Sequence, residues 1–131
     1  MQVPELIERY FACLEAADFE GAALCFTEHA RYSHPPYAEE PPGAPRHEAA
    51  DREAILALFH RRGKRATSHR LIASSGRGDR CFISGVILDE EEAVVGSFVS
   101  EIGLADDGRI EEYVAYSSRP PVWHASSQLD L

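Results

Sequence analysis

The order of two hydrophobic periodicities limits what this chain can fold into. In the first part, one helix face is formed by apolar residues three and four positions apart: Val3, Leu6, Ile7, Tyr10, Phe11, Leu14 and Ala17. The second half instead contains four strand-like segments separated by turn residues: Ala66–Ser74, Arg80–Asp89, Ala93–Leu104 and Arg109–Ser117. Helices followed by consecutive strands are typical of the α+β class. We therefore predict about three N-terminal helices packed on one face of a strongly curved antiparallel sheet.

Two aspartates mark the starts of the later helices. Asp18 is placed to cap a short helix over Phe19–Phe26, because its carboxylate can accept hydrogen bonds from the free N–H groups of the first turn. Asp51 has the same place before a third helix, which Gly63 is placed to end. Between these helices, Ala30–His34 is predicted to be a short strand.

Residues 35–50 are predicted to be a long loop. Five of the eight prolines lie within residues 35–45, and proline interrupts both helices and central strands. A loop of this length is either a lid or binding loop, or a disordered surface insertion. We expect residues 1–131 to form one domain, with an end that frays after about residue 126.

The charge of the chain limits its partners. A formal net charge of -9 argues against nucleic acid or an anionic membrane as the main partner, because those contacts depend on clustered cations. The local exception is a basic cluster at the end of the third helix: Arg61, Arg62, Lys64 and Arg65. We interpret this cluster as solvated cations that complement the helix dipole, with an anion site as the alternative.

The remaining composition indicates no membrane segment, metal or cofactor. No apolar run approaches the roughly 18 to 20 residues of a membrane span, so we expect a cytoplasmic protein. The cysteines Cys13, Cys25 and Cys81 lie among apolar neighbours and are interpreted as buried thiols. The six histidines lack the close spacing that brings two imidazoles to one metal ion.

Three short segments resemble a known family. They are Glu8-Arg9-Tyr10 with Asp18, Tyr32-Ser33-His34-Pro35, and Asp106-Asp107-Gly108-Arg109-Ile110. The sequence from Glu8 to about Ser118 resembles the SnoaL-like subgroup, in the ketosteroid isomerase-like branch of the nuclear transport factor 2-like superfamily. This resemblance implies a cone-shaped barrel around a ligand pocket. The subgroup includes isomerases, polyketide cyclases, dehydratases and epoxide hydrolases, and also members without a demonstrated reaction.

The resemblance implies roles for four residues. Tyr10 matches the tyrosine that donates its hydroxyl to the substrate carbonyl oxygen in the isomerases. His34 stands where those isomerases place a carboxylate base, and an imidazole can also accept a proton at neutral pH. His69 resembles a pocket histidine of the dehydratase-like members and is expected to act as a second acid or an orienting group. The second oxyanion donor falls on Ser100, or on Glu101 if the alignment slips by one residue.

Strand alternation suggests further ligand contacts. Phe98 shares a face with Ser100, and Glu112 shares one with Tyr116 if its strand is regular. Each assignment has a structural alternative, because a tyrosine or histidine on an apolar face is often a satisfied core residue. For Glu112 the alternative is a position at the edge of the sheet, in water.

Two functional hypotheses remain from the sequence. In the first, the protein is a cofactor-independent isomerase, cyclase or dehydratase that acts on an apolar carbonyl-bearing or polycyclic molecule. In the second, it is a non-catalytic domain that binds a hydrophobic small molecule or associates as a dimer. The resemblance also implies a homodimer formed through the outer sheet face, and Arg80–Asp89 is apolar on both faces.

Overall fold

Three helices and six strands follow one another in a computed structural model, which describes residues 3–122. The helices are α1 (Val3–Glu15), α2 (Phe19–Ala23) and α3 (Arg52–Arg62). The strands are β1 (Phe26–His34), β2 (His47–Ala49), β3 (Ser68–Arg77), β4 (Arg80–Leu88), β5 (Val94–Leu104) and β6 (Ile110–Ser118). The predicted α+β class is confirmed, and the predicted frayed end after about residue 126 lies outside the described residues.

The six strands form one curved sheet that does not close into a barrel. Their order is β2-β1-β6-β5-β4-β3, so β2 and β3 lie at the two edges. All neighbouring strands are antiparallel except β1 and β6, which run parallel. This arrangement brings the end of β1 beside β6, although about 80 residues separate them in sequence.

Local sequence signals explain the helix ends. The Asp18 carboxylate accepts a hydrogen bond from the Gly21 N–H at 3.0 Å, and Asp51 accepts one from the Ala54 N–H at 2.7 Å. Gly63 follows α3 with a φ of 68°, which an L-residue with a side chain rarely adopts. The predicted caps and the predicted end of α3 are therefore confirmed.

The structure corrects three predicted boundaries. Helix α2 ends at Ala23, and Phe26 is instead the first residue of β1. The predicted loop at 35–50 contains the short edge strand β2 at His47–Ala49, which pairs with the end of β1. Strand β3 extends to Arg77, so its hairpin with β4 is closed by Gly78 and Asp79 alone.

A β-bulge in β6 and another in β3 change which residues face inward. In β6, Glu111 is an extra residue, because Gly103 pairs with Glu112 whereas Leu104 pairs with Ile110. In β3, Ile72 is the extra residue between the pairs of Leu71 and Ala73. Since side chains alternate along a strand, each bulge reverses the alternation beyond it.

The core lies between the helices and the concave face of the sheet. Helix α1 buries one apolar face, namely Leu6, Ile7, Tyr10, Phe11 and Leu14. These side chains pack with inward residues of the sheet such as Phe26, Ile83 and Ile102. Within residues 3–122, no helix has the length and apolar character needed to cross a bilayer.

Candidate functional site

A cavity of about 280 Å³ lies between α1, the end of β1, the segment after α3 and the concave face of the sheet. Part of its wall is apolar: Phe11, Leu14, Ile87 and Phe98. Polar and titratable side chains form another part: Tyr10, Tyr32, His34, His69, Ser100 and Tyr113. An apolar cavity with a few convergent polar groups is the usual form of a small-molecule site.

His34 stands at the end of β1 as a neutral imidazole. Its Nδ1 lies 2.7 Å from the Pro35 carbonyl oxygen. Because a carbonyl oxygen only accepts, Nδ1 carries the proton and Nε2 remains an acceptor. Burial lowers the pKa of His34 from 6.5 to about 4, although the hydrogen bond to Pro35 acts in the opposite direction. His34 can therefore accept a proton through Nε2 at neutral pH.

Three buried tyrosines and a serine form a hydroxyl cluster in the cavity wall. The Ser100 hydroxyl donates to the Tyr113 hydroxyl oxygen at 3.2 Å, and Ser100 is completely buried. The rings of Tyr32 and Tyr113 are stacked, with centroids 5.7 Å apart. The ring of Tyr10 packs edge-on against that of Tyr113, with centroids 5.4 Å apart.

The hydroxyl cluster is protonated at neutral pH. Burial raises the pKa of Tyr10 and Tyr32 above the ordinary value of 10, and it raises the pKa of Tyr113 to about 12. Tyr113 accepts a hydrogen bond from Ser100, which leaves its own O–H proton to be donated. The cluster can therefore donate hydrogen bonds to an oxygen atom of a ligand.

His69 lines the cavity from β3 and is oriented by α1. Its backbone N–H donates to Glu15 Oε2 at 2.8 Å, and its Nδ1 lies 3.4 Å from the same oxygen. The imidazole stacks on Phe11, with centroids 4.7 Å apart, and meets the ring of Phe98 nearly at a right angle. These contacts hold the ring at the cavity wall.

The proline-rich segment after β1 is anchored beside the cavity. The Arg65 guanidinium binds both carboxylate oxygens of Glu39, at 2.6 and 3.0 Å, and lies 4.4 Å from the centre of the Tyr37 ring. Tyr37 also stacks on His47, which bonds to Glu40 at 2.6 Å. Tyr37 is part of the cavity wall, so this segment helps to enclose the site.

The basic cluster after α3 is divided between water and the cavity. Arg61 and Lys64 are exposed, as the solvated interpretation predicts. Arg62 and Arg65 are half-buried and line the cavity, so for these two the solvated interpretation is wrong. The physical reason is the position of the end of α3 beside the cavity wall, which directs two of the four side chains inward.

The structure brings most of the predicted site residues together. Tyr10, His34, His69, Phe98 and Ser100 all line the same cavity. Strand β5 keeps regular alternation here, so Ser100 is buried and its neighbour Glu101 lies on the outer face near Arg80.

Glu112 does not reach the cavity, and its predicted ligand contact is wrong. The bulge at Glu111 turns Glu112 to the outer face of β6 and directs Tyr113 inward. There the Glu112 carboxylate pairs with Arg31 and, at 2.7 Å, with Arg80. Tyr116 lies on the same outer face, is 54% exposed and contributes only to the cavity rim.

The sequence analysis did not assign several residues of the site, among them Tyr32, Tyr113 and Glu15, and it included Arg62 only in the alternative of an anion site. Tyr32 alternates with His34 on β1, so a period of two could have placed it in the wall. Tyr113 enters only through the bulge, for which the sequence offers no clear signal. Glu15 and Arg62 reach the site through the packing of α1 and α3, which is decided by contacts distant in sequence.

A second depression lies on the opposite face of the sheet. This outer groove of about 540 Å³ is larger than the cavity and is lined by apolar and small residues, including Ile72, Val99, Tyr116 and Val122. The described residues that line it include no histidine, carboxylate or basic side chain. We therefore assign acid–base chemistry to the smaller cavity and not to the groove.

Comparisons with known proteins agree with this fold. A family model described as SnoaL-like domain matches residues 7–113. A search of curated proteins found no significant match to this sequence. A crystal structure of a candidate isomerase of the SnoaL-like family from Agrobacterium tumefaciens has a TM-score of 0.68 and 18% identity, covering 87% of this chain and 95% of that chain.

Two further solved structures show the same fold. A candidate polyketide cyclase from Sinorhizobium meliloti has a TM-score of 0.64 and 18% identity, covering 87% of this chain and 95% of that chain. A candidate ketosteroid isomerase from Kribbella flavida has a TM-score of 0.63 and 16% identity, covering 88% of this chain and 76% of that chain. At these identities the similarity shows the fold alone.

Proposed function

The chain belongs to the SnoaL-like domain family, and we propose that its cavity is the active site of a cofactor-independent isomerase, cyclase or dehydratase that acts on a compact carbonyl compound. The observation that supports this proposal is the neutral His34 imidazole, with Nε2 unprotonated, in one wall with donating tyrosine hydroxyls. A base and an oxyanion donor in one cavity are what abstraction of a proton next to a carbonyl requires.

The proposed step moves one proton and one electron pair. His34 Nε2 takes the proton from the carbon next to the carbonyl, and the C–H electrons form a C=C bond while the carbonyl oxygen becomes negative. Tyrosine hydroxyls of the cavity wall stabilise this oxyanion, and Ser100 orients that of Tyr113. The imidazolium then returns its proton to another carbon, which completes an isomerisation without any co-reactant.

The weak basicity of His34 limits the range of substrates that it can deprotonate. An imidazole whose pKa is about 4 is neutral at pH 7 but drives proton abstraction less strongly than one whose pKa lies near 7. The site therefore suits a carbon whose proton is already acidic, for example one between two carbonyl groups. His69, held by Glu15, is proposed as the acid or orienting group on the α1 side of the cavity.

The volume of the cavity favours a compact substrate. At about 280 Å³, it lies at the lower end of the roughly 300 to 1,000 Å³ found for small-molecule sites. Of the two substrate types expected from the sequence, the geometry favours the single-ring or open-chain carbonyl compound over a polycyclic one.

Exchange of hydrogen for deuterium tests the proposed step without knowledge of the natural substrate. Small ketones, 1,3-diketones and keto acids are incubated with the protein in D₂O, and NMR follows the loss of the proton signal next to the carbonyl. We expect catalysed exchange for at least one compound and a rate loss of about a hundredfold or more in His34→Ala. His29→Ala is the matched control, because His29 lies on the same strand and is exposed.

The second candidate function is supported by a different surface. Phe82, Val99 and Tyr116 are 48%, 48% and 54% exposed on the outer sheet face, beside the outer groove. We propose that this face forms a homodimer. A monomeric mass in analytical ultracentrifugation would refute the dimer.

A non-catalytic ligand-binding or association domain remains the alternative function. If compounds bind in the cavity and His34→Ala leaves their exchange rates unchanged, that alternative replaces the enzymatic one.

We also expect the protein to act in the cytoplasm on a freely diffusing molecule. The net charge of -9 supports a partner other than nucleic acid. Localisation of a fluorescent fusion in the native cell would test this expectation.

A further inference from the structure

The cavity wall offers more hydrogen-bond donors than acceptors. Tyr32 and Tyr113 present hydroxyl protons, and Arg62 presents a guanidinium. The Nε of Arg65 is buried without a hydrogen-bond partner within residues 3–122. Against these donors, His34 Nε2 is an acceptor. A ligand that satisfies this wall must therefore bring several acceptor atoms.

Arg62 is a half-buried arginine of the cavity wall that has no side-chain partner within residues 3–122. Arg65 binds Glu39, and Arg46 donates to Ser33 and to the Ala115 carbonyl oxygen. Arg62 has only a 3.2 Å hydrogen bond from Nη1 to the carbonyl oxygen of the next residue, Gly63. No carboxylate within residues 3–122 lies at ion-pair distance from it. Its charge is thus uncompensated by the described part of the chain.

The Arg62 charge acts on the polar part of the cavity. Arg62 lines the same cavity as Tyr10, Tyr32, His34 and Tyr37, which are spread over two elements and the proline-rich segment. Burial is the main cause of the shifted pKa values of these groups, and the Arg62 charge opposes it at the tyrosines and adds to it at His34. The cavity is therefore a locally positive site in a protein whose net charge is -9.

We propose that Arg62 is a carboxylate-binding residue and that the ligand of the cavity is a small carbonyl compound carrying a carboxylate. Guanidinium and carboxylate groups match in geometry and form strong charge-assisted hydrogen bonds. The carboxylate binds Arg62, the carbonyl oxygen faces the hydroxyls of Tyr32 and Tyr113, and the apolar remainder packs on Phe11 and Phe98. This assignment deepens the proposed function, since it takes the same cavity as the active site.

The position of the two oxygens limits the compound further. The carboxylate and the carbonyl must both fit in about 280 Å³ together with the apolar group. This favours short keto acids, in which at most two carbons separate the two functional groups. A carboxylate next to the reacting centre also accounts for cationic side chains in the lining of the cavity, where Arg62 lies with Arg65 and Arg119.

A matched pair of probes tests the carboxylate independently of any reaction. Benzoylformate is a compact aromatic keto acid without a proton on the carbon next to its ketone, so it cannot undergo the proposed proton abstraction. Its methyl ester has the same ring and ketone but no charge. Isothermal titration calorimetry measures both against the wild-type protein, Arg62→Gln, Arg62→Lys and the control Arg61→Gln, whose exposed side chain leaves the same helix end.

The proposal predicts a charge preference that depends on Arg62. We expect the wild-type protein to bind the acid at least about tenfold more tightly than the ester, which corresponds to about 1.4 kcal/mol. Arg62→Gln should lose this preference, whereas Arg62→Lys and Arg61→Gln should retain most of it. If the wild-type protein binds the ester as tightly as the acid, or binds neither at millimolar concentration, the proposal is overturned.

His34→Ala separates this inference from the proposed function. The variant loses proton exchange but should keep the preference for the acid, because Arg62 is unchanged. If His34→Ala abolishes exchange while wild-type protein shows no preference for the acid, the function stands and the carboxylate assignment is wrong. If the wild-type protein prefers the acid but exchanges no proton of any carbonyl compound, the carboxylate assignment stands and the proposed function is wrong.

Discussion

On β6, Tyr113 faces the cavity and its neighbour Glu112 faces the outside. The two faces of the sheet show the same contrast between buried uncharged groups and exposed charged groups. The concave face carries buried hydroxyls and the neutral imidazole of His34, with Ser100 and Tyr113 bonded to each other. The outer face carries ion pairs of Glu112 with Arg31 and Arg80, together with exposed apolar side chains.

This comparison shows how one strand can place uncharged groups in a buried cavity and charged groups in water. Inside, burial shifts pKa values so that the imidazole of His34 and the tyrosine hydroxyls stay uncharged at neutral pH. Outside, water screens the charges, and ion pairs contribute little to stability. Substitutions on the concave face should therefore have larger effects than substitutions of adjacent residues on the outer face.

The largest effect is expected at Gly85, which allows the Phe98 ring to lie against β4 inside the cavity. A Cβ at this position would lie 2.1 Å from the Arg70 carbonyl oxygen and 2.7 Å from Phe98 Cζ. Because one of these atoms belongs to the backbone, Gly85→Ala should lower the free energy of unfolding by about 3 kcal/mol, at the upper end for overpacking. Urea denaturation measures this change.

The adjacent Ser84 provides the control for Gly85. Its side chain lies on the other face, beside the outer groove, and Ser84→Ala should change the free energy of unfolding by less than about 0.5 kcal/mol. Equal stability of Gly85→Ala and wild type would show that the strands near Phe98 adapt more easily than this packing implies.

The next effect is a dependence of stability on pH. The unfolded chain protonates His34 below about pH 6.5, whereas the folded protein does so only below about pH 4. The stability that comes from this group is therefore present above pH 6.5 and is lost as the pH falls from 6.5 to about 4. His34→Gln should reduce the loss of stability on acidification to about pH 4.5 by on the order of 2 kcal/mol.

Urea titrations at both pH values measure this difference, with His29→Gln as the control on the same strand. His29 is exposed, so its substitution should leave the loss on acidification unchanged. An equal acid sensitivity of His34→Gln and wild type would mean that His34 is solvated and titrates normally.

The smallest expected effect sharpens the comparison of adjacent residues on β6. Tyr113→Phe leaves the buried Ser100 hydroxyl without its acceptor and should cost about 1 kcal/mol or more of unfolding free energy. Glu112→Gln weakens ion pairs with two partially exposed arginines, so its effect should be smaller. The two urea midpoints provide the measurement, and a larger loss in Glu112→Gln would contradict the assignment of the faces.

Much of the fold could be predicted from the sequence because its signals are local. Asp18, Asp51 and Gly63 mark helix ends through their own backbone chemistry, and the hairpins follow from turn residues between alternating strands. The regular alternation of β5 likewise places Phe98 and Ser100 on one face. These features depend on residues that are close in sequence.

The residue positions that were not predicted from the sequence depend on contacts between residues distant in sequence. The inward position of Tyr113 requires the bulge at Glu111, which arises from pairing with β5. The inward position of Arg62 depends on how α3 lies beside the cavity, and Glu15 reaches His69 only because α1 packs near β3. A single sequence contains no periodicity that reports such three-dimensional placements.

The most direct test of the central claim is a crystal structure of the protein with benzoylformate. The account predicts density in the cavity, with the ketone oxygen at the hydroxyls of Tyr32 and Tyr113, the carboxylate at Arg62 and the bound molecule within reach of His34 Nε2. A ligand bound only in the outer groove, or a cavity closed by His34 and Tyr37, would contradict the assignment of the active site.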